Sequence, residues 1–166
     1  MGTYSSARFV AAVVALMLGL SAHPARAEPE SNDDDLSPEI QQILAEQLEA
    51  HPGGTVVGNV IYYEDDLTFV AVEAGVMSLS DCASGKFCGW ESPNFNGSFS
   101  QTSGSGVTRS LNWSAASYSN NRAKAARLYN NGSTASTCFG AHTNRATIGS
   151  SYHSPDKVYL SSTTSC

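Results

Sequence analysis

The sequence is poor in charge, poor in positive charge above all, and has no long apolar run. Only 14% of its 166 residues are charged, against roughly 25% in an average soluble domain. Lys and Arg total 9 against 15 Asp and Glu. That excludes a polybasic nucleic-acid binder, whose footprint is clustered positive charge. No stretch reaches the ~20 apolar residues of a permanent membrane span; the run from Phe9 to Leu20 holds 12. The motifs of hydrolytic and phosphate chemistry are also missing, with no G-x-S-x-G, H-E-x-x-H or glycine-rich phosphate cradle, so the chain is not read as an enzyme.

What is present begins with an export pattern. Arg8 supplies a positive start, the 12-residue apolar run follows, and Ala25-Arg26-Ala27 is a small-x-small cleavage site. This is the three-part order of a secretory signal peptide over 1–27, and it predicts a secreted, extracellular chain cleaved near Ala27. Cys82, Cys88, Cys138 and Cys166 all lie beyond it. An even count in an exported chain predicts two disulfides, with three pairings open. Cys82 with Cys88 costs the least loop-closure entropy, which leaves Cys138 for Cys166. Zinc is the alternative use, but no C-x2-C or H-x3-H spacing accompanies the cysteines.

Charge divides the mature chain. Residues 28–81 carry 13 acidic side chains and no Lys or Arg, whereas residues 82–166 carry seven basic ones against Glu91 and Asp156. The halves are −13 and +5, an asymmetry that can steer association within or between chains. The acidic half opens as a disordered tail over 28–36, too charged to bury anything. A leader over 37–81 follows, with Ser37 as N-cap, Pro38 in the first helical position, and Ile40, Ile43, Leu44 and Leu48 at helical spacing. His51-Pro52-Gly53-Gly54 ends the helix. TVVGNVIYY (55–63) and LTFVAV (67–72) then read as the strands of one hairpin about Glu64-Asp65-Asp66. As an acidic pro-segment, 28–81 would mask a basic face until cleaved.

From Cys82 the composition changes. Ser and Thr make up 26 of 85 residues, Leu, Ile, Val and Phe together only 10, and ten aromatics are spread evenly. Gly and Asn between short segments predict a mainly β domain over 82–166, built on aromatics and cystines.

The most specific pattern is CASGKFCGWESPNFNGSF (82–99). Trp90, Phe95 and Gly97 fit aromatic-x4-aromatic-x-Gly, which resembles the folded hairpin of βγ-crystallin-type repeats. With the C-x5-C opening and SLNWSAASYSNNRAKAARLY (110–129), the segment is similar to the secreted peptidase inhibitor family I36. The resemblance implies a βγ-crystallin-like Greek-key β-sandwich, here preceded by a short helix plus a β-hairpin. It implies an extracellular peptidase as partner, a metalloprotease foremost, held by substrate-like loop binding. The rival from another class is an extracellular binding or structural module without inhibitory action.

Two features qualify how the resemblance transfers. Calcium strings of the crystallin type need Asn/Asp-Asn/Asp-x-x-Ser/Thr-Ser, but the matching positions read Asn120-Asn121-Arg122-Ala123-Lys124-Ala125. A lysine replaces a hydroxyl ligand, so no cofactor or metal is expected. An inhibitory loop of this family is a short cystine-closed turn, and the matching place here is Thr137, Cys138, Phe139 and Gly140, with no second cysteine close by. Phe139 is the candidate to fill a hydrophobic pocket of the protease. The competing reading makes Phe139 a core strand residue, in keeping with the usual burial of aromatics.

Overall fold

The computed structural model describes residues 36–76, 78–130 and 136–166. The signal peptide, the tail up to residue 35 and the segment 131–135 lie outside the described residues.

The helix forms where its caps predict. Helix α1 spans Pro38–Ala50, with the Ile40 amide donating to Ser37 Oγ at 3.4 Å and the His51 amide to Gln47 O at 2.8 Å. Its apolar stripe buries Ile40 and Leu44 against Ile61, Phe69 and Ala71. The leader then departs from the expected single hairpin. TVVGNVIYY is itself a hairpin, β1 (Thr55–Val57) against β2 (Val60–Tyr62), turning at Gly58-Asn59. Gly58 has φ +58°, the left-handed conformation that a two-residue turn of this kind requires and glycine adopts freely. Strand β3 (Thr68–Val70) pairs with β2 after a turn in which Asp65 and Asp66 are both left-handed.

The remaining strands are β4 (Phe87–Ser92), β5 (Asn96–Thr102), β6 (Val107–Ser110), β7 (Ser117–Asn120), β8 (Ala126–Asn130), β9 (Ser136–Phe139), β10 (Thr143–Arg145) and β11 (Pro155–Leu160). Together with β1, β2 and β3 they form two antiparallel sheets, one of seven strands in the order β1-β2-β3-β5-β4-β7-β10 and one of four in the order β6-β11-β8-β9. The fold is mainly β, as the composition predicts, and its two antiparallel sheets are consistent with the β-sandwich that the resemblance implies. The sheet crosses position 82 without a break, because β3 of the leader hydrogen-bonds to β5.

Strand β4 is buried on both sides. Phe87 faces the second sheet, in a cluster with Tyr118 of the neighbouring β7 and with Leu128, Phe139, Val158 and Leu160 of the second sheet. Cys88 and Trp90 face the other way, into a cluster with Cys82 and Phe99 that Val70, Val72, Leu79 and Phe95 complete. The Trp90 ring stands edge-on to Phe95 with centroids 5.3 Å apart, and its indole N–H donates to Ser78 Oγ at 2.7 Å. The disulfides are Cys82–Cys88 and Cys138–Cys166.

Two expectations follow. Removing residues 28–81 strips β3 from β5 and uncovers Trp90 and Phe99, so the chain 82–166 should lose several kcal/mol, at about 1.5–3 kcal/mol per large apolar side chain returned to water. Urea unfolding of 28–166 beside 82–166 measures it; equal midpoints would support a dispensable pro-segment. Gly89 lies between the clusters, and a Cβ there would sit 2.9 Å from the Tyr118 ring and 3.0 Å from Ala115 Cβ. Gly89→Ala should cost about 1–3 kcal/mol by overpacking in the same assay.

Candidate functional site

A seven-residue ring closed by Cys82 and Cys88 lies at the entry to β4. Phe87 anchors it in the core, while Ala83, Ser84 and Gly85 are exposed. The Lys86 amide donates back to Ala83 O at 3.1 Å, and Lys86 Nζ reaches Ser103 Oγ at 3.1 Å. Gly85 has φ +84°, which makes the tight turn possible without a Cβ clash. Closing a loop this short contributes about 2 kcal/mol in the chain-entropy account.

One residue outside the ring holds it in shape. The Asn121 amide donates to Lys86 O at 3.0 Å, its carbonyl accepts the Gly85 amide at 2.8 Å, and its side-chain Nδ2 donates to Cys82 O at 2.8 Å. Three bonds from one residue therefore bridge the exposed span at both ends. The residues flanking Asn121 are occupied inward. Asn120 Nδ2 faces the carbonyls of Lys124, Phe139 and Gly140, and Arg122 donates to the carbonyls of Ala125, Gly104 and Ser161. Burial pulls the Arg122 guanidinium below its ordinary pKa. Side-chain donors thus occupy the carbonyls around the string that the sequence aligns with a cation site.

The same residue borders a second exposed turn, which joins β9 to β10. His142 sits there at φ +50° with its amide on Arg122 O at 3.1 Å, and Thr143 Oγ1 donates to Gly140 O at 2.8 Å. Ser119 Oγ donates to Asn144 Oδ1 at 2.7 Å. Beside this turn, with Asn121 in its wall, is a cleft of about 270 Å³ lined by Leu79, Ser119, Asn121, His142 and Asn144. A separate cleft of about 180 Å³ runs between α1 and the β4–β5 hairpin, past Glu39 and Glu91. There burial and the charge of Glu46 raise the Glu91 pKa.

The residues expected to contact a protease are distributed otherwise. Thr137, Cys138 and Phe139 belong to β9 and pair with β8. Phe139 is 1% exposed, with its ring centroid 5.3 Å from that of Phe87 and 5.8 Å from that of Tyr118, and the Arg145 guanidinium 4.5 Å over it. Its side chain is therefore core and not presented to a pocket; an aromatic ring gains more from this contact than from water. Of the four, Gly140 reaches the exposed turn. Trp90, Phe95 and Gly97 come together in the β4–β5 hairpin, where Gly97 has φ +77°. Two residues build the site without having been expected there: Asn121, which the sequence places only in the degenerate cation string, and His142, which carries no motif.

Residues 76–141 match the sequence model of the peptidase inhibitor family I36. The match takes in the cystine ring, the aromatic hairpin and Asn121, and it supports the resemblance carried by CASGKFCGWESPNFNGSF. A family of this kind implies a peptidase as partner. The two disulfides fit an extracellular protein. No curated protein matches the chain, and no solved structure does. Among the described residues no helix is long and apolar enough to cross a membrane.

Asn121→Ala removes the bond to Cys82 O but leaves the two main-chain bonds. It should cost about 1 kcal/mol and speed amide hydrogen exchange at Gly85. Unchanged exchange at Gly85 would mean that the cystine and the two main-chain bonds shape the ring without the Asn121 side chain.

Proposed function

We propose that the mature chain, exported by the 1–27 signal, is a proteinaceous inhibitor of an extracellular metalloprotease. In this reading it presents the exposed span Ala83–Gly85 and the neighbouring turn at 140–142 to the target's cleft. An inhibitor of this kind does no chemistry. Its requirement is an exposed backbone already held in the bound shape, since every residue ordered on binding subtracts from affinity. The carrying observation is the ring itself: exposed at Ala83, Ser84 and Gly85, closed by a cystine, and bridged by Asn121, all within the segment that matches family I36. The metalloprotease preference comes from the resemblance. The small side chains of the ring favour main-chain contact over a deep anchor.

One observation favours a second reading. The buried Phe139 removes the large apolar anchor expected of the loop at 137–140, as a non-inhibitory extracellular binding or structural module would allow. Titrating residues 28–166 into zinc endopeptidases and serine endopeptidases separates the two. The inhibitor reading expects stoichiometric loss of zinc-peptidase activity at or below micromolar concentration, weakened at least tenfold by Cys82→Ser with Cys88→Ser. No inhibition of either class at tens of micromolar would leave the module.

A further inference from the structure

We infer that His142 is the specificity-determining residue of this contact face, its Nε2 lone pair taking the open coordination position of the target's catalytic zinc. The inference rests on the metalloprotease reading above and concerns how that class is selected.

The argument starts from the amide of Asn121. Its Nδ2 donates to Cys82 O at 2.8 Å, and because a carbonyl oxygen can only accept, the orientation of the amide is fixed. Asn121 Oδ1 therefore faces the His142 ring, 3.4 Å from Nδ1. Two acceptors would repel, so Nδ1 carries the hydrogen and donates. In the neutral ring the lone pair is then on Nε2. Among the described residues Nε2 has no partner, and His142 is exposed. An imidazole whose inner N–H is held by an oxygen acceptor while the outer nitrogen is free is the arrangement found in metal-binding histidines, where the acceptor sets tautomer and direction.

The backbone at His142 is held in place. His142 has φ +50°, and its amide is bonded to Arg122 O at 3.1 Å. The other lining groups of the cleft, Leu79, Ser119, Asn121 and Asn144, carry no charge that would pair with an imidazole instead. His153 is arranged differently, with Nε2 facing Ile148 O at 3.1 Å, and His51 caps helix α1. A catalytic zinc keeps one position for water or substrate. The exchange is balanced: one imidazole nitrogen binds, one water leaves, and no proton need move. A serine peptidase offers no equivalent acceptor of the lone pair.

The test uses the mature chain, His142→Asn and His142→Gln, with a zinc endopeptidase, its Co²⁺-substituted form and a serine endopeptidase. Asparagine tolerates the left-handed conformation and removes the imidazole; glutamine is the second variant should the first not fold. The expected result is at least tenfold weaker inhibition of the zinc enzyme by either variant and unchanged behaviour towards the serine enzyme. The cobalt absorption bands should shift on binding the unaltered chain but not the variants. Equal inhibition by a folded variant, or unshifted cobalt bands in a saturated complex with the unaltered chain, would overturn the role of His142 and leave the inhibitor reading standing. Failure of the unaltered chain to inhibit any zinc enzyme would overturn both.

Discussion

The double-sided burial of β4 is the constraint on which the molecule depends. A strand with one wet face alternates apolar and polar residues, but Phe87, Cys88, Gly89 and Trp90 are all buried. Phe87 ties the strand to the second sheet, and Trp90 ties it to the leader through Phe99, Val70 and Ser78. The cystine ring is attached at the start of this strand, through Phe87 and Cys88. Its exposed span is therefore anchored to a strand that is buried at four consecutive residues. A loop of small residues has little affinity to offer except through shape held in advance. The central strand supplies that shape.

The polar interior follows from the same packing. Turns that cross the ends of a tight sandwich leave carbonyls without strand partners, and a buried carbonyl must find a donor. Here Asn120, Asn121 and Arg122 meet that need in succession, the first and third inward and the second towards the ring. One guanidinium serves three carbonyls, each bond to a charged donor being among the stronger kind. The tripeptide thus connects core packing to the geometry of both exposed turns.

Much of this was legible in the residues, and the limits have physical causes. Helix α1 was legible because capping is local: Ser37, Pro38 and the apolar stripe determine it without tertiary help. The cystine pairing followed from loop entropy, and the Trp90–Phe95 hairpin from its spacing. Gly58-Asn59 does not stand out as a turn in the sequence, because the apolar residues on either side also read as one continuous strand. Phe139 illustrates a harder limit. A cysteine followed by an aromatic is consistent with a displayed loop or with a core strand, and only the positions of Phe87 and Tyr118 decide between them. The function of Asn121 depends on three partners, Cys82, Gly85 and Lys86, more than thirty positions earlier, beyond any local pattern.

The charge seam is resolved less completely by the fold than the packing is. Among the described residues the ion pairs join Arg109 to Asp65 at 2.8 Å and to Asp66 at 3.7 Å, linking the leader's hairpin tip to β6. Both carboxylates are largely exposed, so this link adds at most about 1 kcal/mol. Apolar contact between β3 and β5 holds the leader in place far more strongly. Glu39 and Glu91 line the α1 cleft without a cation among its lining residues, and burial first, then the charge of Glu46, raises the Glu91 pKa. The cleft beside the β9–β10 turn, by contrast, is lined by neutral side chains and one imidazole. In the inhibitor reading proposed above, contact there would rest on shape and on the imidazole, with no carboxylate or cation among the lining residues.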